Sequence, residues 1–155
     1  VTMEEAYRTV EWSAIFLIAG MYAISLAMVE TGLADLLGGL MITLVTPIGP
    51  LGLAAGAYLL SALLAQFMGG QVTALVTGPI AISAAISMGT DPQAVAVAAA
   101  LGCSATFLTP MGHPVNLLVM APGNYTFSDF LRIGWRIFLV SFVMLMLGML
   151  LFWQL

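Results

Sequence analysis

Apolar residues in this chain fall in long runs, and short clusters of Gly, Pro and polar residues separate one run from the next. Runs of this kind predict buried or membrane-crossing helices, not half-buried strands. Trp12 to Val29 is uncharged and long enough to cross about 30 Å of hydrocarbon as a helix. Leu33 to Thr46 is shorter and ends at Pro47-Ile48-Gly49-Pro50, a turn signal. Leu51 to Met68 and Val72 to Met88 predict two helices separated only by Gly69-Gly70-Gln71. Ala94 to Leu108 is rich in Ala and Gly, breaks, and resumes as a short piece from Val115 to Ala121. Pro122-Gly123-Asn124-Tyr125 closes it, and Phe130 to Leu155 predicts a final long helix.

The break inside the fifth run is the most informative. Thr109-Pro110-Met111-Gly112-His113-Pro114-Val115-Asn116 puts helix breakers, a His and an Asn where lipid-facing backbone has to be helical. Pro110 and Pro114 each remove an amide donor and disfavour helix in the residue before them. Gly112 permits backbone conformations that other residues resist. The stretch is built to stay unwound, and in a membrane it survives only where it is buried in protein or lines a polar cavity. The other break, Gly69-Gly70-Gln71, has two readings. It is either a short loop between two full spans or the tip of a re-entrant hairpin with arms of roughly 25 Å. The tip carries no charge, no aromatic residue and no Lys or Arg anchor of the kind found at a water interface, which favours the hairpin.

Composition fixes the class. The chain has 155 residues, 62% hydrophobic and 6% charged, and its mean hydropathy is +1.12. A soluble domain carries about 25% charged residues, so the expected fold is an all-α integral membrane protein. Lysine is absent, the net charge is −4, and most charges sit near residues 4–11, 30–35 and 129–136. Three arginines make no basic stripe, which excludes nucleic-acid binding. Cys103 is the only cysteine, so an internal disulfide is impossible and the residue reads as small packing. The start, Val-Thr-Met-Glu-Glu, lacks the basic and apolar regions of a signal peptide and reads as the middle of a longer gene product, a fragment or one half of a transporter. Arg132 and Arg136 at the start of the last helix place that end in the cytoplasm and the C-terminus outside by the positive-inside rule.

Candidate chemistry concentrates at the two breaks. A helix ending near Leu108 would expose carbonyls, suited to a cation such as sodium, and one starting near Val115 would expose amides, suited to an anion. His113 is either a hydrogen-bonded interfacial residue or a polar group that touches an anionic substrate and responds to pH. Asn116 reads as an N-cap or interhelical hydrogen-bonding residue that also shapes the cavity. Gln71 and Thr73 face the same cavity or bond to neighbouring helices. Ser104, Thr106 and Thr109 line the approach or bond locally to helix backbone. The eleven methionines are adaptable filler. No carboxylate pair lies inside the apolar segments, which argues against a proton relay. No nucleophile–base set, phosphate loop or metal-spaced His/Cys cluster points to an enzyme or to a cofactor.

The order of these features resembles a known family. A helix pair with a Gly-rich polar tip leads to Pro79-Ile80. An Ala-rich helix follows, then Phe107-Leu108-Thr109-Pro110-Met111-Gly112-His113-Pro114-Val115-Asn116, Pro122-Gly123 and Phe127-Ser128-Asp129-Phe130-Leu131-Arg132-Ile133-Gly134. Nearly the whole chain resembles the C-terminal half of the divalent anion:sodium symporter family of the ion transporter superfamily, and in particular its bacterial sulfate- or dicarboxylate-type permeases. The resemblance implies a helical bundle that is one half of an inverted repeat, with a re-entrant hairpin and an unwound transmembrane helix. On that frame residues 1–50 are scaffold-type helices. Residues 51–155 form the transport-type region, with the hairpin at 51–88, the broken helix at 94–121 and the last helix at 129–155. Substrate and sodium meet between the tip and the loop. Gly70, Gln71, Thr73, His113, Pro114 and Asn116 are the expected substrate contacts, and Gly69, Thr109, Gly112 and Asn116 the expected sodium contacts. Members form dimers and move substrate by an elevator-like shift. Two positions depart from the family pattern: Gly69-Gly70-Gln71 stands where the tip typically reads Ser-Asn-Thr, and His113 where a Thr often follows the Gly.

The function expected is secondary transport of a small divalent anion of the sulfate or dicarboxylate class, coupled to sodium or else to protons, across a bacterial inner membrane. The partners expected are the lipid bilayer, the anion, the missing N-terminal half and a second copy in a homodimer. The competing expectation is a non-transporting membrane subunit or truncated remnant of such a transporter. A channel is disfavoured because no ring of charge or filter-like repeat is present.

Overall fold

The computed structural model describes residues 31–120 and 122–154 and, ahead of them, only Tyr7, Ala19, Gly20, Ala23, Leu26, Ala27 and Glu30. The span expected at Trp12–Val29 therefore lies almost wholly outside the described residues. All regular structure among those residues is helical. Helix α1 runs Leu33–Val45 and passes through a 3-10 turn, Thr46–Ile48, into α2, Pro50–Met68. Helix α3 is Gly70–Met88, α4 Pro92–Ser104, α5 Pro114–Met120 and α6 Phe127–Gly148, which a π turn extends to Trp153.

The helix starts follow local chemistry. Pro50 and Pro92 sit in the first turns of α2 and α4, where the missing N–H is no loss and φ is already set. Asp91 caps α4 by accepting from the Gln93 amide at 2.9 Å, an N-cap bond of the ordinary kind. At α6 the Asp129 carboxylate accepts from the Thr126 amide at 2.8 Å and the Thr126 hydroxyl at 2.7 Å. An anion in a first turn also complements the helix dipole.

Helices α2 and α3 and the stretch Phe127–Trp153 are long and apolar enough to cross a membrane. With so little charge, the molecule is an all-α integral membrane protein. Its centre is α2, α3 and α4, with α1 against α3 and α6 against α2. Small residues line the contacts: Ala57, Ala81, Ala84, Ala85 and Ala99 in one cluster, and Ala54, Ala62, Ala94, Ala98 and Ala105 in the next. In a membrane, small side chains let backbones come close enough for dispersion and interhelical hydrogen bonds to hold a bundle. Gly102 goes further than alanine can, pressed against the Tyr58 carbonyl. Tyr58 anchors α6 in turn: its ring meets Phe138 and Phe142, each at 5.6 Å, and its hydroxyl donates to Ser141 at 3.1 Å. Between α2 and α3 the Ser61 hydroxyl donates to Thr77 Oγ1 at 2.9 Å, and Thr77 donates to the Thr73 carbonyl at 3.0 Å.

The structure moves several predicted boundaries. Helix α3 starts at Gly70, two residues before Val72, so the tip shrinks to Gly69 alone. Helix α6 starts at Phe127 because the Thr126–Asp129 cap fixes it there. The largest change is in α4, which ends at Ser104 and not near Leu108. Residues 105–113 are unwound apart from one 3-10 turn at Pro110–Gly112. The backbone groups that would have carried the helix onward are bonded elsewhere, as described next.

Candidate functional site

Gly69 joins α2 to α3 at φ 77, ψ 154, a region open in practice only to glycine. Its amide donates to the Ala65 carbonyl and ends α2, while its carbonyl accepts from the Thr73 amide and begins α3, both at 3.1 Å. The buried Thr73 hydroxyl adds a second bond to that carbonyl at 2.8 Å. Gly70 lies directly on the Cys103 carbonyl, where any side chain would collide with backbone. A Cβ on Gly69 would sit 3.7 Å from the Gly112 carbonyl. The hairpin tip and the unwound segment therefore meet glycine against backbone.

The unwound segment is held by two side-chain amides. Gln66, in the last turn of α2, is 3% exposed. Its Nε2 donates to the Ala62 carbonyl at 2.9 Å and the Ala105 carbonyl at 2.8 Å. Its Oε1 accepts from the Leu108 and Thr109 amides at 3.1 and 3.2 Å. The Thr109 hydroxyl returns a bond to the Gln66 carbonyl at 2.9 Å. From the other side Asn116 Nδ2 donates to the Thr106 and Thr109 carbonyls at 2.9 and 3.3 Å. Helix α6 closes the segment from a third direction, with Gly134 packed on the Phe107 carbonyl. No described buried side-chain nitrogen or oxygen lacks a partner.

Of the residues proposed from the sequence, Gly69 lies against Gly112, Gly70 packs on Cys103, and Asn116 bonds the Thr109 carbonyl. Gln71 is exposed on the first turn of α3, and Thr73 lies inside, engaged with Gly69. Pro114 opens α5. His113 is exposed, and its Nδ1 accepts from the Val115 amide at 3.2 Å. Of the two roles expected of Asn116, capping or hydrogen bonding to a neighbour, the cap falls to His113, because Asn116 lies inside α5 with its side chain turned to the loop carbonyls. The Asn116 amide is also taken, by the His113 carbonyl at 3.0 Å.

Asn116 further lines a cavity of about 260 Å³ with Phe107, Tyr125, Asp129, Phe130 and Ile133. Among the described residues no group of His, Cys, Asp or Glu is arranged to hold a metal ion. The donors at the tip and loop are carbonyl, hydroxyl and amide oxygens, a hard set that suits an alkali or alkaline-earth cation and not a transition metal. Sequence reasoning missed Gln66. The available signal was an amide in the otherwise apolar last two turns of α2, since a buried amide has to find partners.

The model of the citrate transporter family matches residues 1–102. The chain belongs to the citrate transporter family. That match takes in the hairpin and ends within α4, and individual relatives extend the likeness across the loop. The chain is 37% identical to the uncharacterized transporter YfbS of Escherichia coli (strain K12) over 142 residues, 86% of this chain and 22% of the relative. It is 28% identical to sodium/sulfate cotransporter 1 of Chlamydomonas reinhardtii, over 91% of this chain and 17% of the relative. It is 26% identical to the Na(+)/dicarboxylate cotransporter 3 of Homo sapiens, over 96% and 25%. The chain therefore spans a quarter or less of the length of these relatives. The resemblance drawn from the 107–116 and 122–134 stretches is borne out, since family and relatives alike are transporters.

Proposed function

We propose that this chain is the substrate-handling part of a secondary active transporter for a small divalent anion of the sulfate or dicarboxylate class, coupled to sodium. The carrying observation is the meeting of two helix breaks, Gly69 and residues 105–113, with polar groups on both sides. The names of the sodium/sulfate and sodium/dicarboxylate relatives supply the substrate class and the coupling ion. The chain performs no enzymatic step in this reading. It works in a bacterial inner membrane, in a homodimer, with the N-terminal half of the transporter completing the site. Residues 1–50 act as scaffold and 51–155 as the moving region.

The hairpin reading of α2 and α3 is supported by depth. Each arm has 19 residues, about 28 Å, close to a full span. Yet Gly70 meets Cys103 at the end of α4, with the unwound segment and α5 still to come. A tip level with the middle of a crossing is a tip inside the membrane. Gly69, Gly112, Thr109 and Asn116 then offer oxygens to sodium. Gly70, Gln71, His113, Pro114 and Asn116 surround the anion, and the buried Thr73 supports them by holding the Gly69 carbonyl in place.

The test is uptake of sulfate and of a dicarboxylate into proteoliposomes carrying the full-length protein. A sodium gradient should drive uptake of one of them, and choline in place of sodium should abolish it. Asn116→Ala removes two bonds of roughly 0.5–1.5 kcal/mol each, so uptake should fall about tenfold, and Gly70→Leu should abolish it. Full activity in both variants would refute the site, and absence of any sodium-dependent dianion uptake would refute the function.

A further inference from the structure

We propose that Gln66 is the positioning residue of this site, a strap that fixes the unwound segment to the hairpin so that both walls keep one geometry for anion and sodium. The proposal rests on the transporter reading above and adds to it the residue that sets affinity. Answered from the loop side by the Thr109 hydroxyl, the Gln66 side chain bonds both its own helix and the loop. Its four bonds, at 2.8 to 3.2 Å, run to one carbonyl of its own helix, one carbonyl at the end of α4 and two amides of the loop. Each loop group it holds is one that a continuing α4 would have used within the helix. A buried amide presents two donors and two acceptor lone pairs, and here its two donors and its acceptor oxygen are all engaged. The loop is therefore unwound because Gln66 satisfies it in the unwound form. Ligands that need the Thr109 and Gly112 backbone in this arrangement depend on Gln66 without touching it.

Three substitutions separate positioning from general packing. Gln66→Leu keeps the volume and removes every bond. Gln66→Asn keeps the amide on a shorter stem that cannot reach both Ala105 and Leu108. Gln66→Glu keeps the acceptor and turns the donor into an oxygen aimed at the Ala62 and Ala105 carbonyls. In that variant the deprotonated form aims an oxygen without a proton at the Ala62 and Ala105 carbonyls and loses both bonds. The protonated form can donate to Ala105 while still accepting from Leu108 and Thr109, so function should return as the pH falls. The titratable side chains on α2, α3, α4, the loop and α5 are Tyr58, Cys103 and His113, and α6, which packs on α2 and the loop, brings Asp129 at the cavity beside Asn116 and the exposed Arg132 and Arg136.

The experiment uses the full-length protein, with sulfate as the probe because it stays a dianion across the range, and wild type measured at every pH. Gln66→Leu and Gln66→Asn should raise the apparent KM for sulfate and for sodium about tenfold, with the maximal rate within about twofold, the mark of lost binding geometry. Gln66→Glu should show the same defect at alkaline pH and recover at acid pH, a profile absent from wild type. Hydrogen exchange at the Leu108 and Thr109 amides should speed up at least tenfold in Gln66→Leu. Unchanged exchange overturns the strap. Faster exchange with unchanged KM values, or a Gln66→Glu variant indifferent to pH, overturns the positioning role. If Gln66→Leu does not fold, the pH profile of Gln66→Glu decides. A wild-type protein that moves no dianion sinks the transporter reading and this role with it, while exchange still decides whether the strap exists.

Discussion

At the scale of single residues, Gly69 and Gly78 lie on the same hairpin and make opposite demands. Gly69 holds φ 77, ψ 154, where a Cβ costs about 1–3 kcal/mol of strain. Gly78 sits inside α3, and a Cβ there would meet nothing within 4 Å. Gly69→Ala should therefore lower the apparent melting temperature of the purified protein by several degrees. Gly78→Ala should hold or raise it, since glycine in a helix interior costs roughly 0.5–1 kcal/mol relative to alanine. Equal melting of the two variants would mean that the tip relaxes to another backbone conformation and that its glycine is dispensable. His113 teaches a related lesson about reading residues one at a time. It is the sole histidine and invites a role at the anion, yet its ring nitrogen caps α5 and the quieter Asn116 binds the loop.

At the scale of elements, the segment 105–113 is kept open by three neighbours: α2 through Gln66, α5 through Asn116 and α6 through Gly134. Gly134 makes the sharpest prediction, because a Cβ there would overlap the Phe107 carbonyl and the adjoining backbone, which cannot swing aside as a side chain can. Gly134→Val should push α6 from the loop and cut sodium-driven uptake at least tenfold. Gly148→Ala, on the same helix with open space around it, should leave uptake unchanged, and equal uptake in both would remove α6 from the site. The elements themselves were largely legible in the sequence. Proline and glycine punctuate them, and apolar runs of about 19 residues leave little freedom for α2 and α3. The end of α4 was not legible. Ala105 to Leu108 are compatible with a helix, and what unwinds them is a side chain 42 residues away from Leu108, which no local propensity reports. The two facing walls were readable because both breaks carry polar residues, whereas the strap between them lay hidden in a helix that otherwise looks uniformly apolar.

At the scale of the whole molecule, the orientation and the depth of the tip are both open to measurement. Arg132 and Arg136 are exposed on the first turns of α6, and the positive-inside rule predicts Ser128 in the cytoplasm and Gln154 outside. With the broken helix crossing once, as proposed, the Gly89–Asp91 turn is expected outside with the start of α2. In cells, with the buried Cys103 replaced by Ala, a membrane-impermeant maleimide should label Gln154→Cys and Ser87→Cys from outside. It should reach Ser128→Cys only after the membrane is opened. Gln71 then separates the two forms of the hairpin, since its side chain is exposed on the tip whichever form holds. If α2 and α3 are full spans, Gln71→Cys is a cytoplasmic loop residue, and in opened membranes it should react as fast as Ser128→Cys whether or not dianion is present. If the tip stops at the depth of Cys103, Gln71→Cys should react about tenfold more slowly, and saturating sodium and dianion should slow it further. Fast labelling that no ligand alters would make the Gly69 break an ordinary loop and move the binding site elsewhere.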